Sequence, residues 1–334
     1  MLRSNILHAW GRILLGDSPV LAIEITNRCP LSCPGCYAYA PGHVNGLSIE
    51  DVSELVGDRL VEAVVDIIDR RHPLGLFIVG GEPLVRYREL DALLPRICGR
   101  GVSVEIVTSA VRPIPRAWAD IPNLTMVVSI DGPREEHDAR RKPATYDRIL
   151  KHIEGHEIVV HCTLTRRLML GENRMERFLD FWNSRPETRA IRVSLFTPQI
   201  GEESEDILPP DMRRAAIEEL ERLHPLYPKL RLTPAMVEAY LNPPKTPKEC
   251  IFAKVTDCLS ADLQSRVEPC QLGGTPDCRN CGCVAAVGLQ AVAGTPLIGG
   301  LKVGHVFRAS EKVGRGIRAV RSRFNGKNPH LNGQ

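Results

Sequence analysis

From residue 20 to residue 196 the chain alternates short apolar runs with longer stretches whose apolar residues recur at helical spacing. The runs at 20–25, 76–79, 102–107, 126–130, 158–164 and 191–196 read as strands. A first helix is read from the Ser48 cap, with Asp51 completing a capping box. Its buried stripe is Val52, Leu55, Val56, Leu60, Ala63, Val64, Ile67 and Ile68, and it stops before His72-Pro73. Residues 90–98, 146–153 and 175–182 supply further helices. Strands separated by helices pair in parallel through right-handed crossovers. The expectation is an α/β fold, a partial (β/α)6 TIM-like barrel over residues 20–200 carrying a small C-terminal extension. In such barrels the strands' C-terminal ends carry the chemistry.

Every chemically distinctive stretch falls at such an end. After strand one comes a loop with Cys29, Cys33 and Cys36 within eight residues, where Pro and Gly forbid continued strand. Three thiolates so close face one inorganic centre. Thiolate clusters select zinc or iron-sulfur, and closed sites of either kind need four protein ligands. A [4Fe-4S] cluster on three cysteines keeps one iron open to an exogenous molecule; a zinc knuckle completed by a distant Cys or His satisfies the same spacing. Gly80-Gly81-Glu82-Pro83 follows strand two, Thr108 and Ser109 follow strand three, and Ser129 with Asp131 closes strand four.

Cys-x3-Cys-x2-Cys after a first strand, with Gly-Gly-Glu-Pro after the second, resembles the radical S-adenosylmethionine (radical SAM) superfamily. The resemblance implies that the open iron chelates the amino and carboxylate groups of S-adenosyl-L-methionine. Gly80, Gly81, Glu82 and Pro83 would then receive the ammonium, helped by the close backbone approach that glycine permits. The Val127-to-Pro133 segment resembles the family's fourth-strand Ser-x-Asp-Gly. It implies that Ser129 hydrogen-bonds the ligand and that Arg141 pairs with its carboxylate, with Asp131 beside them and Thr108 and Ser109 in the same cofactor site. His137 and Asp138 follow this segment. Where the family has an aromatic residue before its third cysteine this chain has Gly35, and Tyr37 is the aromatic left to share adenine packing.

Residues 1–19 carry Leu2, Ile6, Trp10, Ile13 and Leu14 at helical spacing and read as an amphipathic helix under the barrel. Arg3 and Arg12 beside that face leave weak membrane-surface contact open. Residues 201–248 are proline-rich, a bridge around one helix at 212–223 with Asp211 as cap. Residues 249–290 hold Cys250, Cys258, Cys270, Cys278, Cys281 and Cys283. Six ligands exceed one closed site and fall short of two. The stretch from Cys258 to Cys270 reads as a hairpin ending in Pro-Cys and resembles the entry to SPASM or twitch extensions. That resemblance implies one auxiliary [4Fe-4S] cluster, while zinc fits the same ligands. Cys98 and Cys162 read as buried small hydrophobes. The segment 291–334 reads as a basic, loop-like tail, with eight Lys or Arg and one Glu between residues 302 and 327. Ile317, Val320 and Phe324 leave room there for a short amphipathic helix.

Eleven cysteines, nine of them in two groups, with no signal peptide read before them, point to a reducing cytoplasm. The net charge of +3 selects no partner. The expected activity is reductive cleavage of S-adenosylmethionine and radical chemistry on an organic substrate. The short lead-in tilts that substrate toward a small molecule or lipid over a peptide. A flavodoxin or ferredoxin is the expected electron donor. The contrasting reading, a zinc or iron-sulfur protein binding nucleic acid through its basic tail, leaves the glycine loop and the strand-helix alternation unexplained.

Overall fold

The computed structural model describes residues 2–143 and 145–325, with backbone alone for residues 2–6, 298 and 321–325. The strands are β1 (Val20–Glu24), β2 (Gly75–Val79), β3 (Ser103–Thr108), β4 (Leu124–Ser129), β5 (Ile158–Leu164), β6 (Thr188–Leu195) and β7 (Thr256–Leu259). The helices are α1 (Leu2–Leu14), α2 (Gly57–Arg71), α3 (Tyr87–Cys98), α4 (Arg134–Arg140), α5 (Tyr146–His152), α6 (Arg166–Met169), α7 (Arg174–Ser184), α8 (Pro210–Leu223), α9 (Pro234–Leu241), α10 (Ile251–Val255), α11 (Val284–Gly294) and α12 (Val303–Asn325).

All seven strands lie in one open parallel sheet of order β6-β5-β4-β3-β2-β1-β7. Six come from the predicted repeats. The seventh comes from the cysteine-rich extension, whose residues 256–259 pair with β1 in the register Ala22↔Cys258. The extension is therefore part of the sheet. The sequence hairpin reduces to one antiparallel bridge, Leu259↔Arg266.

Because strand side chains alternate, each strand divides its residues between two layers. Leu21, Ile23, Leu76, Ile78, Val104, Ile106, Val128, Val160 and Ile191 pack under the helices in the main core, with Cys98 and Cys162 among them. The opposite, concave face carries Glu24, Glu105, Ser129, His161 and Arg192. It sets these polar groups beside an apolar cluster of Val127, Val159 and Ala190, and its C-terminal rim bears the loops.

Three local expectations need correction. Ser48 and Asp51 do form a capping box, but it closes a single 3-10 turn, Ile49–Asp51. Helix α2 begins at Gly57, and Val56 stands 49% exposed. The intervening chain stays irregular so that Glu54 reaches Thr26, whose hydroxyl donates to it at 2.7 Å, and Arg28, 2.7 Å from its other oxygen. Second, Asp211 lies in the first turn of α8, and Pro209 takes the cap.

Third, the basic tail is a 23-residue helix, α12, with Lys327 outside the described residues. Two of its glycines are contact points. A Cβ on Gly304 would lie 3.0 Å from that of Ala293, and one on Gly314 would lie 1.9 Å from the Ile13 carbonyl. Helix α1 packs on α12 there, with Trp10 and Phe307 rings edge to face at 5.8 Å. Arg12 donates to the Arg71 carbonyl, which places α1 beneath the N-terminal edge of the sheet. Among the described residues no helix is long and apolar enough to cross a membrane.

The two glycines of α12 should respond oppositely to the same change. Gly314→Ala drives a methyl into α1 backbone and should lower unfolding free energy by about 1–3 kcal/mol. Gly316→Ala meets nothing within 4 Å and should raise it by about 0.5–1 kcal/mol. Denaturant melts of both variants check the pair.

Candidate functional site

The three-cysteine loop is fixed by its neighbour. Beyond β1, Ile25 donates its N–H to Val79 at 2.9 Å, Gly81 donates to the Thr26 carbonyl at 2.9 Å, and Glu82 to that of Arg28 at 2.8 Å. From the far side Ser32 donates to the Lys142 carbonyl at 2.7 Å, after α4. Burial pushes the Cys29 thiol up to about 12 and raises Cys33 also, Arg141 working against the rise at Cys33. The three sulfurs act on one another electrostatically. Such thiols stay protonated until a metal deprotonates them, and this donor set suits a soft metal centre.

Gly35 has φ +63°, and a Cβ there would lie 3.0 Å from the Phe196 ring. The aromatic missing from the motif is thus supplied beside it from the end of β6. Tyr37 accepts from Gln271 Nε2 at 3.2 Å, and its neighbours include both Cys36 and Cys283. It joins the two cysteine groups.

The glycine loop packs directly on the cysteine loop. A Cβ on Gly81 would lie 2.2 Å from the Arg28 carbonyl oxygen, and one on Gly80 2.6 Å from that of Thr26. The close approach that requires glycine is between two protein loops. Glu82 is likewise consumed by the protein: its carboxylate accepts from Leu84 N–H at 2.9 Å, Ser109 N–H at 2.7 Å and the Thr108 hydroxyl. Burial pushes this carboxyl up against those donors. Pro83 opens the short turn that Glu82 caps.

At the end of β4, Asp131 accepts from Arg140 at 2.6 Å, from Arg141 at 2.8 Å and from Thr163 N–H at 3.1 Å. Burial opposes its charge, yet Arg141 and Arg140 hold it well below the usual carboxylate range. Arg141 also donates to Ser109 Oγ at 2.9 Å, and it lies close enough to act on Cys33. Ser129 is buried on the concave face. His137 is inward but spent, accepting from Asp131 N–H at 3.2 Å and lying 2.8 Å from Thr145 Oγ1. Asp138 caps α5 through Thr145 and Tyr146.

Five of the six C-terminal cysteines line one apolar cavity: Cys250, Cys270, Cys278, Cys281 and Cys283, with Pro244, Pro247, Phe252, Leu272 and Ala286. Burial raises every one of these thiols, Cys278 to about 11 and Cys283 to about 12. Cys258 lies outside that cavity, buried among Ala22, Val44, Val52 and Val267 by its place in β7. Among the described residues no three His, Cys, Asp or Glu side chains converge on the position of a single ion. Five thiols in one dry cavity still exceed the four that a closed centre takes. Arg213 of α8 braces this wall, donating to the carbonyls of Asn280 at 3.0 Å and Cys281 at 2.7 Å.

Sequence reading missed several charged groups of the concave side. Glu24 lies 2.5 Å from His43 Nε2 and accepts from Ser260 Oγ at 2.7 Å. Arg192 forks onto Glu105 at 2.8 and 3.1 Å across the sheet, and His161 Nε2 lies 2.8 Å from Ser194 Oγ. The available signal was a charged residue inside a strand otherwise reading as buried, where such groups are rare unless paired or functional.

The radical SAM superfamily model matches residues 23–181. No curated protein matches the chain in sequence. Among solved structures, native anSMEcpe with bound AdoMet is similar at TM-score 0.57 and 14% identity, over 92% of this chain and 99% of that one. The same protein with AdoMet and Cp18Cys peptide matches over the same shares, at TM-score 0.57 and 14% identity. Streptococcus suis SuiB bound to precursor peptide SuiA is similar at TM-score 0.58 and 15% identity, over 85% of this chain and 68% of that one. At these identities the likeness is one of fold.

The glycine geometry predicts the fate of Gly81→Ala. Its methyl meets Arg28 backbone, so the two loops must part, at a cost of about 1–3 kcal/mol. Stability and reconstituted iron content should fall together. A variant of unchanged melting profile and full iron content, weakened only in S-adenosylmethionine affinity by calorimetry, would return Gly81 to the ligand.

Proposed function

Since the chain belongs to the radical SAM superfamily, we propose that this enzyme binds S-adenosylmethionine beside the Cys29–Cys33–Cys36 loop and modifies a peptide side chain. When bound, the [4Fe-4S] centre and S-adenosylmethionine supply reductive cleavage to a 5'-deoxyadenosyl radical. The electron comes from a flavodoxin or ferredoxin type of donor. Cys29, Cys33 and Cys36 would hold that cluster, and with three protein ligands it would remain open to the cofactor.

The observation that carries this reading is the backbone stitching of Gly81 to Thr26 and Glu82 to Arg28. It sets both motif loops at one mouth of the sheet. Around that mouth Arg141, gripped by Asp131 and Ser109, presents a cation beside Cys33 for the cofactor carboxylate. Ser129 offers a hydroxyl, and the Gly80–Gly81 backbone lies within reach of the ammonium. Glu82 and Pro83 shape the turn, Thr108 and Ser109 hold it to β3, and Tyr37 shares adenine packing with Phe196. Four of Cys250, Cys270, Cys278, Cys281 and Cys283 hold one auxiliary cluster, with Cys258 outside the set.

The peptide reading replaces the earlier tilt toward a small molecule or lipid. That tilt rested on the short lead-in before β1. A protein of this fold, covered over 99% of its own chain, carries a bound peptide, so the short lead-in does not argue against one.

Two measurements follow. Cys29→Ala/Cys33→Ala/Cys36→Ala should abolish 5'-deoxyadenosine formation under reductant and still hold about four irons with acid-labile sulfide. Undiminished formation sinks the first site, and stoichiometric zinc without sulfide sinks the second. For the substrate, the reconstituted enzyme is given cell extract from deuterated medium, divided into peptide and metabolite fractions. Deuterium should enter 5'-deoxyadenosine with the peptide fraction; enrichment confined to the metabolite fraction would overturn the peptide reading.

A further inference from the structure

Among the described residues of the concave face, one histidine keeps an uncommitted ring nitrogen. Asp131 is consumed by Arg140, Arg141 and Thr163, Glu105 by Arg192, and Glu24 by His43 and Ser260. His43 and His137 each have both ring nitrogens in hydrogen bonds. His161 differs. It stands on β5 between Ser129 and Arg192 in register, and its Nε2 faces Ser194 Oγ at 2.8 Å. Among the described residues Nδ1 has no hydrogen-bond partner.

We infer that His161 is the proton acceptor of this face, taking a proton at Nδ1 from the substrate group bound there. The inference rests on the proposed function, which supplies that substrate. Ser194 Oγ already accepts the N–H of Val284 at 3.1 Å, the residue after Cys283. With Nε2 as the protonated nitrogen, 2.8 Å from that oxygen, the lone pair stays on Nδ1. His161 is thereby suspended between Asp131 and Arg141 on the cofactor side and the cysteine-lined wall on the other.

The surroundings keep the ring neutral until it acts. Burial pulls its pKa down to about 4; Arg141, Arg192 and Arg140 add to the fall and Asp131 opposes it. At neutral pH the lone pair is available, as a general base requires. The step conserves atoms and electrons. A proton passes from a substrate O–H, N–H or S–H to Nδ1, the electron pair stays on the substrate, and the imidazolium later returns its proton to water.

The test uses reconstituted holoenzyme and the deuterated peptide fraction. His161→Ala should form 5'-deoxyadenosine without substrate as the parent does, yet convert peptide at least about 100-fold more slowly. Added imidazole should restore part of that conversion, which it would not do for a purely structural residue. Conversion at the parent rate overturns the inference, as does a loss that imidazole leaves untouched. Should the parent form no 5'-deoxyadenosine under reductant, the proposed function falls and takes the inference with it. A second measurement needs no variant: carbethoxylation of the wild-type holoenzyme, mapped by mass spectrometry. His161 should react at pH 5.5 as fast as at pH 7.5, whereas N-acetylhistidine, titrating near about 6.5, slows roughly tenfold. A tenfold slowing at His161, or no labelling at either pH, overturns the assignment.

Discussion

A buried carboxylate at the top of β1 holds the two halves of this protein in register. Glu24 is 3% exposed, and each of its oxygens is committed, one to His43 and one to Ser260. His43 continues the chain of contacts to the Leu272 carbonyl at 3.2 Å. A buried carboxylate persists only where partners replace its lost hydration. Here those partners come from the segment after the first cysteine group, from the end of β7 and from the turn beside Cys270. Gly273, at φ +62°, lets that turn lie against His43, since a Cβ there would meet the ring at 2.3 Å. Removing either side of the arrangement strands a charge, so the placement of one cysteine group depends on the other.

The open sheet gains its far wall by the same economy of contacts. Beyond β7 the chain crosses to β6 and is laced to it. Leu195 donates to Gly282 at 3.0 Å, Gly282 to Thr197 Oγ1 at 2.9 Å, Asp277 to Pro198 at 2.8 Å and Ile200 to Thr275 at 2.8 Å. With β7 on β1 and residues 275–282 beside the end of β6, the cysteine-rich segment spans the gap that seven strands leave unclosed. Tyr37 accepts from Gln271, beside Cys270, and so links the first cysteine loop to this segment.

The concave face owes its polarity to strand alternation combined with crossed pairing. Residues two apart share a side, so Glu24, Glu105, His161 and Arg192, on β1, β3, β5 and β6, reach one surface. The Glu105–Arg192 fork crosses two intervening strands and neutralises its own charge. What remains is a surface rich in hydrogen-bonding groups and nearly free of unpaired charge, with one imidazole nitrogen left over.

Local sequence patterns determined a great deal here. Period-two and helical-period runs identify their own elements because burial of one face is decided within a few residues, and β1 to β6 lie where those runs lie. The order of motifs along the chain likewise places each at a strand end, since parallel βα units always return the chain to the same edge. Only the tertiary structure decided the rest. Cys258 reads as a ligand among five others until its pairing with Ala22, 236 positions away in the chain, makes it a strand residue. Gly81 and Gly314 read as ligand approach and loop, but each is glycine because another segment's backbone occupies the space of its missing methyl. His161 is indistinguishable from a core histidine until Ser194, itself held by Val284, occupies one ring nitrogen and no described residue occupies the other. In each case the deciding contact joins residues far apart in sequence, and a composition or a spacing holds no record of what will pack against it.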